Sequence, residues 1–402
     1  MPQIRRKDDT HMDKVRFGVI GVGNMGTEHA KYLNNGEIEG AVLAAVCDVK
    51  EERRNWAKEN LAPEVKIFDD YKKMLDPNLV DAIIVAVPHY FHPPICIDVL
   101  NAGINVISEK PIGVYTNQAE ELIKVAEKSG KLFGLMFNQR TNARYRKARD
   151  MVQNGELGEL KRCVWIVTDW YRTQAYYNSG GWRATWSGEG GGVILNQCPH
   201  QLDLWQWIFG MPTKITAFCE EGKYHNIEVE DDVTVYANYA NGATGVFITT
   251  TGEFPGTNRL EISGDLGKLV IEDFKMTFTK LAVPERKWCF EATGGFVGPE
   301  KEVIDVDYSA FLLPKQQHRG ITQNFTNALL HGEKLMAPGK EGINGLRISN
   351  AIFLSSWLGK TVDVPVDGDL FYEKLQEKIK NSTFKKEVKE TNENLSGTYG
   401  QK

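Results

Sequence analysis

The sequence predicts an α/β protein of two domains: an N-terminal doubly wound parallel sheet, then a second, β-rich domain that also carries helices. Three observations carry this expectation. Short apolar runs alternate with stretches of helical length through residues 14–140, the pattern of repeated strand–helix–strand units that build parallel sheets. Residues beyond 140 are β-rich, with Asn241-Gly242 as a hairpin signal. Finally, 402 residues, 42% of them apolar, exceed what a single hydrophobic core usually holds.

Composition narrows the function before any motif is read. The formal net charge of -5, from 48 basic and 53 acidic residues, provides no broad basic surface for a nucleic-acid backbone. No apolar run approaches the roughly 20 residues that span a bilayer, and the start, MPQIRRKDDTHMDK, has no apolar segment behind it to act as a signal peptide. A cytoplasmic protein is expected, with neither nucleic acid nor membrane as partner. The six cysteines, Cys47, Cys96, Cys163, Cys198, Cys219 and Cys289, lie far apart with no C-x-x-C pair, which fits reduced thiols and argues against a metal site. Residues 1–13 read as a disordered leader and 381–402 as a polar tail, neither expected to matter for chemistry.

The elements follow in order. VRFGVIGVGNMGTEHAKYL opens with an apolar strand, then places Gly21, Gly23 and Gly26 at G-x-G-x-x-G spacing around Asn24 and Met25, then continues as an amphipathic helix. The first glycine allows a tight turn, the second lets backbone approach a pyrophosphate, and the third lets the helix pack on the strand. A second strand, AVLAAVCDV, ends at Asp48, 22 residues after Gly26, where a carboxylate meets an adenosine ribose. Together these predict a Rossmann dinucleotide-binding domain over 14–140. Asp48 favours NAD, because the 2′-phosphate of NADP would bring like charges together; Arg53 and Arg54 could soften that preference. The strands VDAIIVAVP, NVISE and KLFGLMF follow, with helices around ICIDVLNAG and NQAEELIKVAEKSG between them. In such sheets ligands bind at the strand C-terminal ends. Those ends read Pro88-His89-Tyr90-Phe91-His92, Glu109-Lys110-Pro111 and Asn138-Gln139-Arg140.

Residues 141–380 are expected to form the substrate-binding and oligomerisation domain. Its strands are read in LKRCVWIVTDW, TKITAFCEE, DVTVYANYANGATGVFITTTG and NRLEISGDLGKLVIED, its helices in GITQNFTNALLHGE and GINGLRISNAIFLSSWLG. An uncovered face of such a sheet is expected to meet a second subunit. The stretch GEGGGVILNQCPHQLDLWQWIFG stands out, since Asn196, His200 and Asp203 follow the glycines at spacings of four and three. On a helix these would share neighbouring parts of one surface while Leu202, Trp205 and Phe209 cover another, although Pro199 interrupts that helix. His200 could equally be a satisfied core histidine.

The glycine fingerprint, SEKPIG around Lys110, and G-G-G followed by His200 and Asp203 together resemble the family of glucose–fructose oxidoreductase, inositol dehydrogenase and the rhizopine-catabolism protein MocA (Gfo/Idh/MocA), from about Val15 to about Val366. The resemblance implies a C-terminal α/β domain with an open, mainly antiparallel sheet, catalytic roles for Lys110 and His200, a homodimer or homotetramer, and a place for His92 on the cofactor side, where Pro88, Glu109 and Asn138 at the strand ends are also expected to contact the cofactor. Asn196 falls where many members have aspartate. It can hydrogen-bond a hydroxyl but carries no proton at neutral pH, so an aspartate-to-histidine relay is in doubt. The segment DWYRTQAYYNSGGWRATWSGEGGG adds aromatic rings and arginines suited to a polyol, from which Tyr176 and Arg183, with Asn196, Lys110 and His200, are expected to contact substrate. The function read is NAD-dependent oxidation of a secondary hydroxyl on a sugar, glycoside or cyclitol. A redox-neutral glycosidase using transient C3 oxidation, and a non-catalytic dinucleotide sensor, remain as alternatives.

Overall fold

A central parallel strand is covered on both faces and so needs apolar residues at nearly every position. VRFGVI and AIIV meet that demand and form the middle of the first sheet. The computed structural model describes residues 14–389; the leader 1–13 and the last part of the tail, 390–402, lie outside the described residues. The first domain runs β1 (Val15–Ile20), α1 (Asn24–Asn34), β2 (Ala41–Cys47), α2 (Glu51–Asn60), β3 (Lys66–Phe68), β4 (Ala82–Val85), α3 (His92–Asn101), β5 (Asn105–Ser108), α4 (Thr116–Ser129) and β6 (Phe133–Leu135). The strands pair in parallel in the order β3-β2-β1-β4-β5-β6. The order reverses between β1 and β4, which opens a crevice at their C-terminal ends. β3, the short run KIF, carries too little apolar alternation to stand out in the sequence.

The second domain contains α5 (Ala143–Gln153), β7 (Leu160–Val167), α6 (Gln174–Asn178), α7 (Pro199–Phe209), β8 (Lys214–Glu221), β9 (Glu230–Asn238), β10 (Thr244–Thr250), β11 (Asn258–Gly264), β12 (Gly267–Glu272), β13 (Lys275–Leu281), α8 (Glu285–Glu291), β14 (Lys301–Asp305), α9 (Gln317–His331), α10 (Gly342–Leu358), β15 (Val362–Asp363) and α11 (Gly368–Asn381). Its nine strands lie in the order β14-β13-β12-β11-β7-β10-β9-β8-β15, antiparallel except where β10 meets β7. Asn241-Gly242 turns β9 into β10, with Gly242 at φ +83°.

One face of this sheet is buried: Trp165, Val235, Phe247 and Ile262 stand on it, and Trp205 of α7 stacks on Phe247 at 5.5 Å. Register places Thr216 opposite Tyr236 and Phe218 opposite Thr234, on the other face. There Phe218 and Tyr236 are 66% and 45% exposed. The chain then returns to the parallel sheet through α9, where Phe325 packs on Phe17 and Thr322 hydrogen-bonds Tyr32.

The two domains are fastened by one buried cation. Arg140, in the turn after β6, donates to both oxygens of Asp203 on α7 (2.7 and 2.6 Å), to Glu341 before α10 (2.5 Å) and to the carbonyl of Met336 (3.2 Å). Arg140 and Asp203 are each 1% exposed, whereas the Glu341 side chain is 37% exposed. Removing one member of a buried pair strands the other charge, at a cost of about 3–5 kcal/mol, while a partly exposed pair is worth about 1 kcal/mol or less. Asp203→Asn is therefore expected to lower the urea-derived unfolding free energy by about 3 kcal/mol and Glu341→Gln by far less. Equal losses in the two variants would show that this pair does not fasten the domains.

Candidate active site

The glycine turn after β1 is packed where its spacing requires. A Cβ on Gly21, at φ +86°, would sit 2.4 Å from the carbonyl oxygen of Ala86, and one on Gly26 would sit 1.7 Å from that of Gly21. Gly23 faces open space, and no side chain caps α1, whose N-terminus is of the kind that receives an anion. At the end of β2, Asp48 accepts from the amides of Val22 (2.7 Å) and Lys50 (2.9 Å), which fixes its carboxylate beside the turn. Arg54 spends Nη1 on the carbonyls of Asp48 and Val49. These residues fit a dinucleotide: open backbone for the phosphates, a carboxylate for the ribose, and an arginine already engaged.

Along the crevice, Pro88 leads into a 3₁₀ turn at His89–Phe91. His92 is buried, its ring nitrogens 2.7 Å from the carbonyls of Val87 and Pro111, so it braces two walls of the crevice. The buried Glu109 meets the His29 ring (2.7 Å) and the Lys110 amide (3.2 Å). Burial would raise its pKa, but His29, His318 and Lys110 outweigh that and hold it at about 2. His29 continues to Tyr32, and Tyr32 to Thr322, so a polar chain runs from the site into α9. Asn138 donates to the Gln317 side chain (2.8 Å) and sits 3.5 Å from the His318 ring.

Lys110 Nζ donates to the backbone carbonyl of Asn196 at 2.6 Å. Burial, reinforced by Arg183 and Arg172 and opposed by Glu109 and Glu189, lowers its pKa to about 8. Asn196 lies in the turns before α7, because the helix begins at Pro199; the even helical spacing of Asn196, His200 and Asp203 does not exist as one surface. Its side-chain amide donates to Glu189, a buried carboxylate that also accepts from the Ala184 amide (2.5 Å). Burial raises the Glu189 pKa against the pull of Arg183. His200 is buried near Phe137 (ring centroids 6.5 Å), and burial with Lys110 and His318 nearby pushes its pKa well below the ordinary histidine range. It is neutral at pH 7. Asp203 belongs to Arg140 and faces structure, not chemistry.

The aromatic segment contributes a hub. Tyr176 Oη accepts from Arg183 (2.8 Å) and from Gln197 (3.1 Å). The segment Ser382–Lys389, expected to be an inert tail, runs beside it: Lys386 donates to the carbonyls of Tyr177 and Arg183. Thus Lys110, Asn196 and His200 gather around one crevice, with Tyr176 and Arg183 on its adjoining loop. Sequence reasoning missed His29, Glu189, Gln197, His318 and Lys386. His29 is a single histidine within a helical pattern and His318 one just before such a pattern, neither with a local motif; Glu189 was legible only as the residue that breaks the glycine run.

The chain matches the family described as an oxidoreductase family with an NAD-binding Rossmann fold over residues 15–137, and the GFO/IDH/MocA C-terminal domain over 145–270. It is 28% identical over 271 residues to myo-inositol 2-dehydrogenase of Thermotoga maritima, covering 65% of this chain and 77% of that protein. It is 25% identical over 279 residues to glycosyl hydrolase family 109 protein 1 of Shewanella sp. strain ANA-3, covering 66% of this chain and 56% of that protein. The WlbA dehydrogenase of Chromobacterium violaceum, solved with NADH and UDP-GlcNAcA, is similar with a TM-score of 0.74 and 25% identity, over 88% of this chain and 97% of that one.

The depressed pKa of Glu109 links the site to acid stability. Because the folded value, about 2, lies below the ordinary 4.5, the contribution is present above pH 4.5 and is lost as pH falls toward 2. Denaturant titrations across this window should show the parent losing stability more steeply than Glu109→Gln. Parallel curves would mean that the carboxylate contributes no such stabilisation.

Proposed function

The chain belongs to the Gfo/Idh/MocA family of oxidoreductases, and from that premise we propose that it oxidises a secondary hydroxyl of a sugar, glycoside or cyclitol with NAD as acceptor. The observation that carries this reading is Lys110: a buried amine, 2.6 Å from the Asn196 carbonyl, with its pKa lowered to about 8, beside the neutral His200. Similarity to an inositol dehydrogenase and to a sugar-nucleotide dehydrogenase supports the substrate class.

Bound NAD supplies the acceptor for the hydride that leaves the carbinol carbon. Gly21, Gly23, Asn24, Met25 and Gly26 hold its phosphates, and Asp48 receives the adenosine ribose hydroxyls; a 2′-phosphate there would face the same carboxylate, which favours NAD over NADP. Pro88, Glu109 and Asn138 shape the nicotinamide end, while His92 acts through the backbone it braces.

Lys110, when neutral, takes the hydroxyl proton onto Nζ, and the Asn196 carbonyl keeps that nitrogen aimed. Neutral His200 presents one ring nitrogen to the same hydroxyl, donating or accepting according to its tautomer. The Asn196 side chain, its amide nitrogen committed to Glu189, presents its oxygen to substrate. With Asp203 bound to Arg140, the proton stays with Lys110 and His200. Tyr176 and Arg183 hold the far side of the polyol. The open sheet face bearing Phe218 and Tyr236 supports assembly as a homodimer or homotetramer, and the six free cysteines suit a cytoplasmic setting.

Similarity to a family 109 glycosyl hydrolase favours one second reading, cleavage of a glycoside through transient oxidation without net redox change. Stoichiometry separates the two. One NADH per substrate, with no deuterium entering C2 in D₂O, supports the dehydrogenase; aglycone release with C2 deuteration and no net NADH supports the glycosidase. For either, Lys110→Ala is expected to lower kcat/KM by roughly 10²–10⁴-fold with NADH affinity retained. The parent kcat/KM should rise with pH through a midpoint of about 8 as the amine loses its proton. Near-normal turnover in the variant, or a profile flat from pH 6 to 9, would place the base elsewhere.

A further inference from the structure

Two guanidinium groups stand at the loop side of the crevice with no carboxylate in ion-pair contact. Arg183 lies 4.6 Å from the Tyr176 ring centroid and 4.8 Å from that of Trp182, and Arg172 lies over the same Tyr176 ring at 5.1 Å. Among the described residues, neither forms an ion pair with Asp or Glu within 4.0 Å. Arg172 spends Nη1 on the carbonyls of Trp170 and Tyr171, and Arg183 spends Nη1 on Tyr176 Oη. Most of their N–H groups therefore remain available.

The hub they surround is also a donor. Tyr176 Oη already accepts from Arg183 and Gln197, which leaves its own proton to be donated outward. Gln197 is 5% exposed, and its side-chain oxygen has no hydrogen-bond partner among the described residues, so the corner also retains one buried acceptor for a hydroxyl. The nearby carboxylates are committed: Glu189 to Asn196 and the Ala184 amide, Glu109 to His29 and the Lys110 amide. Both arginines lie close enough to Lys110 to depress its pKa, which places their charge toward the reacting end. Lys386 adds a fourth cation to Lys110, Arg172 and Arg183. These four cations outnumber the carboxylates that act on them, Glu109, Glu189 and Glu228.

A neutral polyol, which both donates and accepts, leaves much of this donor set unused; an acceptor-only group satisfies it. We propose that the substrate carries an anionic substituent, a carboxylate or a phosphate, held by Arg183, Arg172 and the Tyr176 hydroxyl while its polyol ring faces Lys110 and His200. This rests on reading the crevice as a dehydrogenase site and names the substrate class within it.

The test uses the full chain loaded with NAD. Calorimetry compares D-glucuronate, D-galacturonate and D-mannuronate with their parent aldoses, and glucose 6-phosphate with glucose, while NADH absorbance follows turnover of the same compounds. At least one anion should bind tenfold or more tightly than its neutral parent, the uronate and phosphate arms identifying which acid is preferred. Arg183→Met should reduce that ratio by roughly 10–100-fold, the scale of a lost charge-assisted bidentate contact, and Arg172→Met, as an independent variant, should reduce it in the same direction. Neutral parents binding as tightly as every anion, no saturable anion binding at millimolar concentration, or an unchanged ratio in Arg183→Met would overturn the proposal. NADH formed from neutral polyols without an anion preference would overturn it while leaving the dehydrogenase reading intact. Tight, arginine-dependent anion binding without any NADH would do the reverse.

Discussion

The crevice depends on how closely one glycine-rich loop approaches its neighbours. A Cβ on Gly192 would sit 2.0 Å from the carbonyl oxygen of Glu230, and one on Gly191 would sit 2.7 Å from the Phe353 ring. The buried Glu230 carboxylate accepts from the amides of Gly192 (2.8 Å) and Ile194 (2.9 Å), so the loop is held by a side chain from β9. Burial pushes that carboxyl up to about 8 even with both amides drawing it back. With the loop so fixed, the Asn196 carbonyl reaches Lys110 and the Asn196 side chain reaches Glu189. Lys110 itself follows β5 of the parallel sheet, and its Nζ is thus held by a carbonyl from the second domain.

Burial sets the chemical state of the groups gathered there. It keeps His200 and His318 neutral, the latter down at about 3, and brings Lys110 to about 8, whereas Glu109 stays ionised against burial, held first by the His29 ring it is hydrogen-bonded to and then by Lys110. With His200 and His318 neutral and Glu109 ionised beside it, Lys110 can take up a proton without those three neighbours changing charge. The excess of positive charge on the aromatic loop lies a short distance from this centre. Because Arg183 and Arg172 also lower the Lys110 pKa, that charge acts on the proton-handling amine as well.

The sequence by itself determined the Rossmann half, because its signals are local: apolar strands, glycines at fixed spacing and an acid at a strand end all lie within 34 residues of Val15. It also singled out Lys110 and His200 through short motifs, and located the β9–β10 hairpin through Asn241-Gly242. Only the tertiary structure decided what surrounds them. Glu189 and Asn196 are seven residues apart yet meet through a loop that no periodicity encodes, and His318 and Lys386 arrive from more than 200 residues beyond Lys110. Asp203, aligned with His200 by spacing, is claimed by Arg140 from the other domain. Contacts made across domains have no sequence period to betray them, since they are chosen by packing and by the need of each buried charge to find a partner.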